Sequence, residues 1–376
     1  MFGRRITLFQ LLGFKVRVDA SWLILALLIV WSLAKGVFPL QIKNLSIGTY
    51  WWMGIAGAVG LFFSIVFHEL CHSLVAARFG IPMKGITLFI FGGVAEMDDE
   101  PPSAKSEFLM AIAGPVSSFF LAVVFYGIAG YGRKNGLALP FTVVIGYLAW
   151  INALLAVFNL APAFPLDGGR VLRSALWRWK QDLRWATRIS STVGSGFGIL
   201  LILLGIVSLF QGNIIGGIWW FMIGFFLKNA AQMSYQQLLT RRALEGEKVK
   251  RFMIPDPITV PAYISLEEFI RDYVYRYHYK MFPVISGGAL KGYITVRQVA
   301  DTKREEWNRH TVGEMTAALS PETTVNPYDD ALKALSTMSR TGNSRLIVVE
   351  DGRLAGIIAL KDLLRFLALK LELQDL

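Results

Sequence analysis

A single cysteine, Cys71, in a chain of 376 residues excludes any intrachain disulfide, and with it the small secreted scaffolds that disulfides hold together. Charge is also scarce. Lys, Arg, Asp and Glu make up 17% of the chain, where a soluble domain carries about 25%, and histidine occurs only four times. Apolar residues fill the gap: 54% of the chain is hydrophobic, against about 45–50% in a soluble domain. The excess lies before about residue 230, and the last third has soluble composition. An ordinary cytosolic enzyme is thereby excluded.

A hydrocarbon core about 30 Å thick takes about 20 apolar residues of helix. Six segments approach that length: 20–38, 54–77, 107–129, 141–163, 190–210 and 214–230. The sequence therefore predicts a multi-span α-helical membrane protein with both termini on one side. The first segment is too long, and lacks a small-residue cleavage site in the right place, for a removed signal peptide. Gly194–Gly198 and Gly212–Gly217 blur the last two segments, and a hairpin that dips without crossing is the alternative there. With the termini inside, the cytoplasmic flanks hold Arg4, Arg5, Lys15 and Arg17, then Arg78, Lys84 and Lys105, then Arg170, Arg173, Arg178, Lys180, Arg184 and Arg188. The opposite loops hold only Lys35, Lys43, Arg133 and Lys134, so the bias places both termini in the cytoplasm. The net charge of +11 then reads as a topology signal, and no nucleic-acid partner is expected.

Between the second and third spans, Ile86–Glu96 is rich in β-branched and aromatic residues and is broken by Gly92-Gly93. It reads as a short membrane-associated hairpin whose edge could accept an extended peptide, with a plain packed connector as the alternative. Asp98, Asp99 and Glu100, followed by Pro101-Pro102, mark an aqueous loop.

Chemistry enters with His68-Glu69-Leu70-Cys71-His72 inside the second span. Histidines at i and i+4 project from one helix face, so both rings can reach one tetrahedral zinc ion while Glu69 sits beside its open position. A membrane histidine can also serve helix packing, but three ionisable groups within one turn of a span are costly to bury without a role. A catalytic zinc wants a third protein ligand. Asp167 is the carboxylate available in a long apolar stretch, in Asn159-Leu-Ala-Pro162-Ala-Phe-Pro165-Leu-Asp167-Gly168-Gly169. The prolines and glycines there break the helix and free the backbone to aim it. A plain turn residue is the other reading of Asp167. Cys71 lies inside the motif, but thiolate ligation would close the position hydrolysis needs. His278 and His310 have no ligand pattern around them.

With H-E-x-x-H in one span and N-x-x-P-x-x-x-x-D-G at the end of a later one, residues 1–230 resemble the site-2 protease family of intramembrane zinc metalloproteases. The resemblance implies His68, His72 and Asp167 as ligands of one zinc ion, Glu69 as catalytic base, and Asn159 as a residue that positions substrate or stabilises the oxyanion. Ala113-Gly114-Pro115 also matches a family motif, although Ser118 stands where an Asn is common, and a proline kink explains the same residues.

From about residue 248 the chain repeats itself at an offset of 64. Ile258-Thr259-Val260-Pro261, Phe282–Ile285 and Gly292–Thr295 return as Thr324–Pro327, Leu346–Val349 and Gly356–Ala359. Each copy reads as strand, helix, strand, turn, strand and helix, and the pair resembles tandem CBS domains, a soluble α/β regulatory module. In that family the cleft between repeats often binds an adenine nucleotide, with a Ser or Thr and an Asp three residues later at the ribose. Here the first copy keeps Thr295 but has Gln298, and the second keeps Asp362 but has Ala359.

The expected organisation is a membrane-embedded protease domain over 1–235, a linker over 236–250, and CBS repeats over 251–310 and 311–376. The expected function is hydrolysis of a peptide bond within or next to a transmembrane helix of a membrane-protein substrate. The setting is a prokaryotic plasma membrane, with the CBS pair in the cytoplasm as regulator and as a homodimer contact. The alternatives are a CBS-regulated channel or transporter and an inactive homologue.

Overall fold

The computed structural model describes residues 5–81, 83–89, 92–97 and 100–374. Arg4, the tip residues Ile90 and Phe91 of the expected hairpin, and Asp98 and Asp99 lie outside them. The chain divides into two compact units, Met1–Gln236 and Gln237–Leu376.

The first unit opens with strands that the span pattern hid. In Phe14-Lys15-Val16-Arg17-Val18 apolar and charged residues alternate, which sends Val16 and Val18 to one face of a strand and Lys15 and Arg17 to the other. That segment is β2 (Phe14–Asp19), paired antiparallel with β1 (Arg5–Leu11) across Leu12-Gly13. The expected hairpin follows as β3 (Met83–Phe89) and β4 (Gly92–Met97). It is not isolated: β3 runs parallel to β2 with Val16 opposite Ile86, giving the sheet order β1-β2-β3-β4. Val16, Val18, Ile86 and Leu88 pack against Val66 and Leu70 of the second long helix. Basic residues read only as topology signals thus also belong to a sheet.

Among the described residues, six helices are long and apolar enough to cross a membrane. The first comprises α1 (Ala20–Ser32), a π-helical turn over Leu33–Val37, and α2 (Phe38–Gln41). The others are α3 (Ile47–Arg78), α4 (Ala104–Lys134), α5 (Leu139–Asn159), α7 (Leu183–Phe210) and α8 (Ile214–Leu244), with the short amphipathic α6 (Asp167–Lys180) between α5 and α7. α5 stops at Asn159 rather than near 163, because Pro162 disfavours helical geometry at the residue before it. α7 and α8 each reach spanning length, where the sequence left a dipping hairpin open.

The second unit shows the 64-residue repeat as repeated register. In the first copy β6 (Val260–Pro261), β7 (Met281–Ser286) and β8 (Ala289–Thr295) pair Val284 with Gly292; in the second, β9 (Thr324–Val325), β10 (Arg345–Glu350) and β11 (Arg353–Ala359) pair Val348 with Gly356. Both hairpins carry an irregularity at the following residue. A short strand at the start of the first repeat, β5 (Ile254–Pro255), joins the second repeat's sheet. Leu266, Phe269 and Phe282 fill one core, and Met338, Leu346 and Leu363 the other.

Candidate metal centre

His68 and His72 lie one turn apart on α3, both buried, and Asp167 is the first residue of α6. Three atoms converge. His68 Nε2 is 3.1 Å from Asp167 Oδ2, His72 Nε2 is 3.2 Å from the same oxygen, and the two Nε2 atoms are 3.1 Å apart. Zinc bonds to nitrogen and carboxylate oxygen run about 2.0–2.2 Å, which places the corners of a tetrahedron about 3.3–3.5 Å from one another. The triangle therefore has the size a zinc ion needs. Among the described residues this is the one cluster of three such donors.

The outer ring nitrogens set the tautomer. His72 Nδ1 donates to the Met110 carbonyl at 2.6 Å, and His68 Nδ1 lies 2.8 Å from Ser118 Oγ, a hydroxyl able to accept its proton. Both partners belong to α4, and with the protons held at Nδ1 each Nε2 keeps its lone pair for a metal. Gly114 lies between those two contacts on the same helix. A Cβ there would overlap His68 Nε2 and His72 Nε2, so α4 can approach the histidine pair only because that position is bare. The chemistry of the donors, their spacing and this bare floor all fit zinc.

Asp167 is aimed by its surroundings. Residues 160–166 form the break after α5, and Cβ atoms at Gly169 or Gly194 would run into the backbone of Phe164. The break is thus pressed between α6 and α7 at full backbone contact. Below it Arg173 of α6, 4% exposed, forms an ion pair with Glu107 of α4, which is fully buried, and with Glu100 at 3.2 Å. Its guanidinium also lies over the Phe164 ring, 5.2 Å from the centroid. Burial works against the charge on Arg173, but Glu107 and then Glu100 outweigh it and raise the guanidinium pKa. Arg173 is therefore not only a flanking charge, as the sequence count had it; it ties the helix that carries Asp167 to the helix that carries the histidine partners.

Other site residues divide clearly. Glu69 is half-buried one position beyond His68, and its carboxylate has no hydrogen-bond or ion-pair partner among the described residues. Cys71 is half-buried and lies outside the donor cluster. Asn159 ends α5 half-buried, and no hydrogen bond ties it to the cluster. Sequence reasoning missed Asn152, two turns earlier on α5. It is fully buried, donates to Ser64 Oγ of α3 at 2.9 Å and to the Leu148 carbonyl at 2.8 Å, and leaves Oδ1 without a partner. The available signal was a lone amide inside an apolar run. Ser118 was visible only as a departure from a family pattern, and the structure makes it a histidine partner.

Comparison with known proteins now carries weight. Residues 56–143 and 133–204 match the model of peptidase family M50, and residues 249–304 and 312–369 match that of the CBS domain. Zinc metalloprotease MJ0392 of Methanocaldococcus jannaschii is 31% identical over 375 residues, covering 98% of this chain and 99% of that protein. The chain belongs to peptidase family M50. Rip3 of Mycobacterium tuberculosis is 33% identical over 366 residues, 96% of this chain and 92% of that protein. A solved site-2 protease from Methanocaldococcus jannaschii shares 27% identity over 61% of this chain and 94% of its own, with a TM-score of 0.43. This M50 protein is thus a multi-pass membrane metalloprotease with a tandem CBS tail.

In the CBS pair the two expected ribose residues fare differently. Thr295 caps the helix Val296–Ala300, accepting from Gln298 N and donating to Gln298 Oε1 at 2.7 Å. Asp362 stands in the first turn of the last helix, Leu360–Gln374, with Oδ2 buried and unpartnered. A cavity of about 210 Å³ opens between the repeats, lined by Asp256, Tyr279, Arg345 and Lys361 among others. Neither Thr295 nor Asp362 lines it. His278 takes a left-handed turn and His310 pairs with Glu314 at 2.9 Å, so neither belongs to a metal cluster.

Proposed function

We propose that this M50 protein is an intramembrane zinc endopeptidase of the site-2 type, hydrolysing a peptide bond within or next to a transmembrane helix of another membrane protein. The setting is a prokaryotic plasma membrane with the termini and CBS pair in the cytoplasm. The observation that carries the reading is the convergence of His68 Nε2, His72 Nε2 and Asp167 Oδ2 at 3.1–3.2 Å inside an apolar unit. Those three atoms would hold the metal, and a bound zinc ion would supply Lewis acidity at a peptide carbonyl and a water more acidic than bulk.

The chain's own residues do the rest. Glu69 takes the proton of the attacking water on its carboxylate and passes it to the leaving amine. Ser118 and the Met110 carbonyl keep both rings in the tautomer that binds metal. Asn159 orients the substrate carbonyl. A helical peptide bond is hydrogen-bonded and shielded, so the substrate must unwind, and the free edge of the sheet at β4 suits an extended segment. The membrane part over 1–235 is the catalytic domain, 236–250 the linker, and 251–310 and 311–376 the repeats. The pair regulates access and supports a dimer, with Asp362 and Thr295 as its nucleotide contacts. The channel and inactive-homologue readings are not favoured, since all the chemical groups of a metalloprotease are present.

The test is metal analysis and cleavage of a transmembrane substrate by purified protein in vesicles. Wild type should hold close to one zinc per chain and lose activity to a chelator. Glu69→Gln should keep zinc and lose cleavage, while His68→Ala loses both and Asp167→Ala binds zinc more weakly. Retained cleavage in Glu69→Gln sinks the mechanism. Addition of ATP to the same assay, with direct binding to the full chain, tests the regulatory role; absence of binding removes the nucleotide from the proposal.

A further inference from the structure

The β1–β2 hairpin carries an apolar surface that the protein itself leaves uncovered. Its register pairs Ile6 with Val18, Phe9 with Val16 and Leu11 with Phe14, and directly opposed residues share a face. Val16 and Val18 on that face are buried under α3, whereas Ile6, Phe9 and Leu11 are exposed. The other face pairs Gln10 with Lys15 and Thr7 with Arg17. The hairpin is therefore amphipathic beyond the reach of its own core.

The turn sharpens this. Leu12 and Gly13 both have positive φ, 49° and 89°, the signature of a two-residue type I′ turn, which favours Asn-Gly. A leucine is disfavoured in that left-handed conformation, and Leu12 is 68% exposed. In water nothing offsets that choice; in hydrocarbon the side chain does. The structure also says where hydrocarbon is. β2 ends at Asp19, whose side chain accepts from Ser21 N and caps the first spanning helix at Ala20, so the hairpin is joined directly to the membrane surface.

We infer that the β1–β2 hairpin is a bilayer anchor, its tip at Leu12 and its Ile6–Phe9–Leu11 face inserted into the leaflet on the terminus side, with Lys15 turned to the headgroups. This rests on Ala20–Gln41 being a span. The anchor holds one edge of the sheet in lipid and leaves the opposite edge, β4, open.

The experiment uses full-length protein carrying Cys71→Ser, reconstituted in phosphatidylcholine–phosphatidylglycerol vesicles, with an environment-sensitive dye on Leu12→Cys, Lys15→Cys or Leu27→Cys. Leu27 is 72% exposed on α1 and serves as the hydrocarbon reference. The expected result is iodide quenching several-fold lower at Leu12 than at Lys15, and quenching by chain-labelled lipid at Leu12 matching Leu27. A Leu12 label as accessible to iodide as Lys15, with Leu27 protected, overturns the anchor while sparing the span. Accessibility at Leu27 overturns both. Protection at Leu12 that appears only with added substrate, or only at high protein density, assigns the face to a partner strand or a second copy and overturns the lipid assignment. Leu12→Asn installs the residue the turn favours. Amide exchange of the hairpin in vesicles should nevertheless rise several-fold, and unchanged or slower exchange would refute the anchor.

Discussion

The two units place their polar groups for different reasons. In the membrane unit His68, His72, Glu107, Arg173, Ser118 and Asn152 are all buried, and each has a partner on another helix or, for Glu107 and Arg173, on each other's. In the CBS unit half-buried polar residues sit at helix starts: Thr295 caps the helix Val296–Ala300, Asp330 caps the helix Ala331–Thr341, and Asp362 lies in the first turn of the helix Leu360–Gln374. Lipid offers no alternative hydrogen-bond partner, so a polar residue kept there has a specific contact to make. At the start of a water-exposed helix, capping already gives Thr295 and Asp330 a role, whereas Asp362 keeps a buried and unpartnered Oδ2. A polar residue is therefore a stronger functional signal in the first unit than in the second.

That contrast can be broken at Arg173. Arg173→Met leaves Glu107 charged and buried, and should cost about 3–5 kcal/mol, read as a loss of folded protein or a lowered unfolding midpoint in detergent. Removing both charges, as Arg173→Met with Glu107→Leu, should recover most of it, because Glu100 stays half-exposed to water. Equal instability in the double variant would mean that shape, not charge, holds α6 to α4.

A smaller effect comes from filling space. Gly114→Ala adds a methyl group against both Nε2 atoms and should weaken zinc binding by about 100-fold, at the upper end of what changes beside a ligand produce. Metal competition with a calibrated chelator measures it. Unchanged affinity would mean that α4 can withdraw without cost to the site.

The smallest effect lies in the second unit. Thr295→Ala removes the cap of the helix Val296–Ala300 and should cost about 1 kcal/mol in the unfolding of the CBS pair, and, if Thr295 is the proposed nucleotide contact, ATP binding should weaken as well. Unchanged binding would leave capping as its whole role and keep it apart from the polar residues of the membrane unit.

Much of the architecture was legible in the chain. The six spans, the 64-residue repeat and the H-E-x-x-H turn depend on local periodicity and spacing, which sequence displays directly. Their boundaries shifted where tertiary packing or proline intervened, as at Asn159. The strands β1 and β2 escaped because six or seven residues of alternation next to a span are easily read as its charged flank.

What the sequence by itself determined is that two imidazoles share one helix face and that an isolated carboxylate follows a broken helix, since both are consequences of local geometry. Only the tertiary structure decided that these three groups meet. Asp167 is 95 residues from His72, and its approach depends on glycines admitting backbone contact, on a buried arginine joining α6 to α4, and on Gly114 giving the histidines room. Close packing of that kind is set by which surfaces face one another, and no local pattern in the chain encodes it.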